Sequence, residues 1–196
     1  MKKFEFTGES DVWCGYTLRR IRALVDIPTH CVKKGDLGGW LEKNENLSHD
    51  GKAWVYGDAR VFGDAQVYGD ARVFGDAQVY GDAQVYGNAW VYGNAWVYGN
   101  ARVFGDAWVY GNARVFNDAR VLANVHYLTI GPIGSRGDTT TFYISKSWKI
   151  MVVCGCFYGD IDTFAEKVKA VHGDSKHAKA YLAAIELAKI QIAIEN

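Results

Sequence analysis

Between Gly131 and Tyr143 the chain reads GPIGSRGDTTTFY, and no other stretch gathers so many groups suited to holding an anion. Glycines let successive backbone N–H groups turn toward a negative charge. Ser135, Thr139, Thr140 and Thr141 add hydroxyl donors, and Arg136 adds a guanidinium that can meet a phosphate with two parallel hydrogen bonds. Tyr143 and His126 are flat side chains on which a base could stack. The stretch is not a P-loop, because it lacks Gly-Lys-Ser/Thr and no helix is expected after it. The same composition also makes an ordinary Gly/Pro-rich hairpin loop, and both readings stay open.

Other reactive residues form weaker patterns. In CGCF, Cys154 and Cys156 would share one face of a strand, with His172 and His177 on or between helices further along. A zinc site wants four ligands at tighter spacings, so the two cysteines are expected to be small core residues, with no metal bound. Asp58 to Asp106 recur at fixed intervals, a pattern set by backbone geometry rather than by proton transfer. No Ser-His-Asp or Cys-His set assembles from the sequence, and no cofactor is expected.

The elements that must position these residues follow from a repeat. Valine recurs every six residues from Val55 to Val121, and alanine keeps the same period from Ala53 to Ala119. In the hexad V-[YF]-G-[DN]-A-x, valine and alanine point the same way on an extended backbone. The Gly-Asp or Gly-Asn pair supplies a corner. A fixed short period of this kind is the signature of a solenoid.

The repeat resembles the hexapeptide-repeat proteins, whose fold is a left-handed parallel β-helix with three hexads per triangular turn. With three hexads to a turn, as in the family this repeat resembles, residues 18 apart stack in columns, and strands about 4.8 Å apart make a prism roughly 20 Å tall. The resemblance covers residues 53 to about 122 and implies about four coils. Residues 1–50 break the period, and their GGW and NLS..G..WV segments resemble the N-terminal cap of bacterial and phage members. After the prism at 51–124, residues 125–196 are expected to form an α+β domain. It would have strands at VHYLTI, TTTFYI and WKIMVVCGCF, then helices at about Asp162–His172, with Asp162 as the N-cap, and Ser175–Ala193. The GP.GSR...TTTFY and CGCF.GD segments resemble the ends of phage-encoded members, which implies a counter-defence role.

The prism exposes two residues per hexad. One face carries Trp54, Arg72, Trp90 and Trp108 beside Tyr56, Phe74, Tyr92 and Tyr110. A second carries Arg60, Gln78, Trp96 and Arg114, and a third Gln66, Gln84, Arg102 and Arg120. Contiguous aromatic surface marks an interface. Trp54, Trp90, Trp108, Tyr92 and Tyr110 are therefore expected to mediate self-association, with a trimer favoured because prisms of the resembled family pack side by side.

Composition bounds the rest. Apolar residues are 49% of the 196, and Lys+Arg and Asp+Glu balance at 22 each, which removes the usual electrostatic argument for nucleic-acid or membrane-surface binding. The start, MKKFEFTGES, has no apolar run behind its lysines, so a cytoplasmic protein with reduced cysteines is expected.

The reading is a non-catalytic, oligomeric binding protein that holds or sequesters a small phosphorylated or nucleotide ligand through its C-terminal domain. Contacts would come from Ser135, Arg136, Thr139, Thr140, Thr141, Tyr143 and His126. A scaffold or inhibitor acting on a host protein through the aromatic faces is the alternative. The resemblance also implies an acyltransferase, but these enzymes use a histidine base. The prism has no histidine between His49 and His126, which leaves only His126 to be recruited.

Overall fold

The computed structural model describes residues 1–192 and is a parallel β-solenoid closed at both ends by non-repeating chain. Twelve two-residue strands, β4 (Trp54–Val55) to β15 (Arg120–Val121), each hold one Xaa-Val pair. They stack in three parallel sheets with valine in register on valine. Every valine from Val55 to Val121 and every alanine from Ala53 to Ala119 is fully buried, so one apolar column fills the prism from end to end. The backbone between strands closes the same stack. Gln78 N donates to Ala95 O at 2.9 Å, and Tyr80 N to Val97 O at 3.0 Å.

The corners fix why the hexad is so strict. Gly81 sits at φ +69°, a left-handed conformation that costs a residue with a Cβ. A Cβ there would also come within 3.0 Å of Gly99 N in the next coil. Asn117 takes the last corner at φ 53°, where the repeat ends.

The N-terminal segment is more than a cap. Strands β1 (Phe4–Trp13) and β2 (Tyr16–Ala23) form an antiparallel hairpin, and β2 pairs with β3 (Leu37–Leu41). β3 then runs parallel to the first repeat strand of its sheet, with Leu41 opposite Val61, and Leu47 bridges to Val67. A fifth, irregular coil thus lies inside residues 1–50, beyond the four the hexads account for. Asn46 anchors it. Fully buried, its amide donates to Gly63 O at 3.1 Å and Ala65 O at 2.9 Å, and its carbonyl accepts from Lys43 N at 2.8 Å.

The hairpin also folds down one solenoid face. Trp13 Nε1 donates to Gln78 Oε1 at 3.2 Å, Arg60 lies 4.1 Å above the Trp13 ring, and Tyr16 packs on Phe62.

At the other end, β16 (Tyr127–Ile133), β17 (Asp138–Ile144), β18 (Ile150–Cys154) and β19 (Phe157–Asp160) make an antiparallel sheet in that order. One face of it plugs the open prism. Tyr143 is fully buried and donates to Phe116 O at 3.1 Å, and Thr141 Oγ1 accepts from Arg114 N at 3.2 Å. The other face packs beneath α1 (Ile161–His172) and α2 (Lys176–Gln191) through Phe142, Ile144, Val152, Phe164, Tyr181 and Ile185.

Asp160, not Asp162, caps α1, its carboxylate accepting from Thr163 N at 2.8 Å; Ser175, expected as the start of the second helix, is the N-cap of α2, which begins at Lys176. The expected helix end at Ala193 lies outside the described residues. Among the described residues no helix is long and apolar enough to cross a membrane.

Replacing Asn46 by Ala leaves the buried Ala65 carbonyl and the half-buried Gly63 carbonyl without their donor. We expect a loss of about 1–3 kcal/mol, the usual cost of orphaned buried polar groups, read as a lower urea midpoint.

Candidate functional site

The sheet and helices of the C-terminal domain enclose a cleft of about 240 Å³ beside the β16–β17 turn. Ser135 and Arg136 supply one wall, Cys154, Cys156 and Phe157 the floor, and Phe164, Lys167, His172 and Tyr181 the helical side. The Arg136 guanidinium lies over Gly155, at φ 58°, in the space that a Cβ there would occupy. Gly134 makes the same allowance for the Tyr181 hydroxyl.

Aromatic rings set the depth. Phe157 packs on Phe164 with centroids 4.9 Å apart, and Tyr181 lies between Phe164 at 5.6 Å and His172 at 5.7 Å. A buried polar chain runs underneath. Thr140 Oγ1 donates to Cys154 Sγ at 3.3 Å, and the thiol donates to the Tyr181 hydroxyl at 3.6 Å. Burial, reinforced by that thiol, pushes the Tyr181 hydroxyl up to about 12, while Arg136 pulls the other way. Tyr181 therefore stays a neutral phenol at physiological pH. The cleft combines exposed cations, Arg136 and Lys167, with an apolar aromatic interior. Such a surface suits a small ligand with an anionic group and a flat body.

Of the residues expected to make contact, only Ser135 and Arg136 lie in this cleft. β17 separates the threonines, since neighbours on a strand point to opposite faces. Thr140 is fully buried beneath the helices, and Thr141 and Tyr143 are buried against the solenoid. Thr139 is half-buried outside the cleft, its N–H donating to its neighbour's Asp138 Oδ1 at 2.7 Å.

His126 is buried as well, its Nδ1 accepting from Leu122 N at 3.2 Å. It is placed neither to stack on a ligand nor to serve as an open base. The expected pairing of Cys154 and Cys156 on one strand face also fails, because Gly155 turns the chain there. Cys154 is buried, whereas Cys156 is exposed at the cleft rather than a core residue. All four cysteines are free. Among the described residues no three His, Cys, Asp or Glu side chains converge as metal ligands.

The aromatic face divides as well. Trp54 is fully buried, so it forms no interface. Arg72 is held by Thr29 O at 2.6 Å and lies over Trp90. Further along, Trp90 stacks on Trp108 at 5.1 Å and Tyr92 on Tyr110 at 5.3 Å. Trp108 and Tyr110 remain 42% and 48% exposed. With Tyr127, Leu128 and Thr129 they line a depression of about 640 Å³ where the solenoid meets the C-terminal sheet.

Residues 65–122 match, in overlapping segments 65–81, 77–93, 83–98, 95–111 and 107–122, the family model described as the YdcK beta solenoid repeat. The repeat region is thus similar to a β-solenoid family, in agreement with the observed fold. No curated protein matches the chain.

The tyrosines give the fold a pH signature. Tyr56, Tyr80 and Tyr181 are raised to about 12 by burial, and Tyr127 and Tyr143 are raised further by the same cause. An acid with a raised folded value contributes full stability below its unfolded value near 10 and loses it as the pH climbs through the folded value. We expect thermal stability to fall progressively above pH 10. In Tyr181→Phe the decline should be shallower, which scanning calorimetry between pH 8 and 11 would measure.

Proposed function

We propose that this protein is a non-catalytic binding protein whose C-terminal cleft holds a small phosphorylated ligand of the nucleotide class. The observation that carries the reading is the seat of Arg136 over the bare backbone of Gly155, at the mouth of a cleft lined by Phe157, Phe164 and Tyr181. Arg136 and Lys167 meet the phosphate, and the rings take the base or another flat body. We read the solenoid as a left-handed hexapeptide-type prism that displays this domain rigidly. A counter-defence role rests on the same ligand class, since sequestering a nucleotide signal needs binding without turnover.

Mass spectrometry of small molecules released by heating the purified protein tests this directly. A stoichiometric phosphorylated compound is expected from the wild type and not from Arg136→Ala. Loss of one charge-assisted contact should weaken binding by about 10- to 150-fold. Release of the same compound in equal amount from the variant would refute the assignment.

The exposed Trp108 and Tyr110 favour a second element of the reading, self-association through the aromatic face, with a trimer as the expected state. Light scattering on Trp108→Ser combined with Tyr110→Ser should show a smaller particle than the wild type, with Arg136-dependent binding unchanged.

A further inference from the structure

The arginines that precede valine in the repeat fall into two groups. Arg60, Arg72 and Arg114 each lie over an indole, 4.1 to 5.2 Å from the ring. Arg102 and Arg120 do not. They occupy one column of the third face, paired in register on adjacent parallel strands. Among the described residues neither forms an ion pair within 4.0 Å, and Arg120 Nη1 is buried with no hydrogen-bond partner.

Lys146, from the β17–β18 loop, joins them around a depression of about 520 Å³ that is also lined by Gln84, Asn100, Asp82 and Asp118. Like charges directly opposite on neighbouring strands destabilise a sheet. The same column manages without them lower down, where Gln66 pairs with Gln84.

We propose that Arg102, Arg120 and Lys146 form an oxyanion site that takes a phosphate group. Two guanidinium groups on strands about 4.8 Å apart can each donate to one tetrahedral oxyanion lying between them. Its charge removes their mutual repulsion. The site shares no residue with the cleft at Arg136 and does not depend on it.

The test is titration of the full-length protein with inorganic phosphate at constant ionic strength, by calorimetry and by melting temperature. Sodium chloride serves as the control for screening. The comparison is the double variant Arg102→Gln, Arg120→Gln, whose side chains the column already accommodates at Gln66 and Gln84. We expect phosphate to bind and raise the melting temperature of the wild type. In the double variant the affinity should fall at least about tenfold, and its melting temperature without phosphate at low salt should exceed that of the wild type.

With the titration repeated in the Arg136→Ala background, which removes the phosphate contact of the other cleft, the binding that depends on Arg102 and Arg120 should persist. Its loss in that background would place the phosphate in the other cleft and overturn the proposal. Equal phosphate binding by wild type and double variant, or none by either, would overturn it as well. Stabilisation by phosphate but not by sulfate marks a site for phosphate itself, and equal response to both marks a general tetrahedral oxyanion site; each upholds the two arginines as ligands.

Discussion

Coils of this solenoid can stack only as closely as their corners permit. At Gly81 the backbone is held in a left-handed turn directly beneath the backbone of the next coil, where a β-carbon would crowd Gly99 N at 3.0 Å. That close approach lets strands only two residues long hydrogen-bond continuously from coil to coil. It also brings valine onto valine inside the prism and ring onto ring outside, as in the stacks of Phe62 on Tyr80 and Tyr80 on Tyr98, at 4.9 and 4.8 Å. The rigidity of the molecule comes from many weak, identical contacts whose spacing the corner sets.

What differs from coil to coil is the cover. The N-terminal hairpin lies along one face over Phe62 and Gln78, while the segment around His30 holds Tyr56 and Arg72. The C-terminal sheet seals the last coil with Tyr143. Identical repeat positions therefore have different roles: Trp54 is core, Trp90 is half-buried, and Trp108 is open to solvent.

This division explains how far the sequence could be read. A strict period of six carries its own geometry, so the inward valines and alanines and the three columns were legible residue by residue. The leading coil was not, because eight residues rather than six separate Leu47 from Val55 and its polar anchor, Asn46, has no counterpart in the hexad. In the candidate site, the turn residues Ser135 and Arg136 were legible as anion donors. Thr140 and Thr141 were misassigned, although strand alternation already forbids consecutive threonines from sharing a surface. Phe164, Lys167 and Tyr181 enter the cleft from helices 28 to 45 residues beyond Arg136. No local pattern announces that meeting; it follows from helices packed across a sheet.

The three-sided register has a geometric consequence. Each hexad builds one side of the prism, so the chain counts in threes. Gain or loss of a full coil lengthens the shaft by one strand spacing, about 4.8 Å, and leaves the terminal domain facing the same way. Gain or loss of a single hexad would instead turn that domain by a third of a revolution relative to the N-terminal hairpin. Repeat number is thus both a ruler and a dial: it sets the reach and the bearing of the cleft while altering no residue within it.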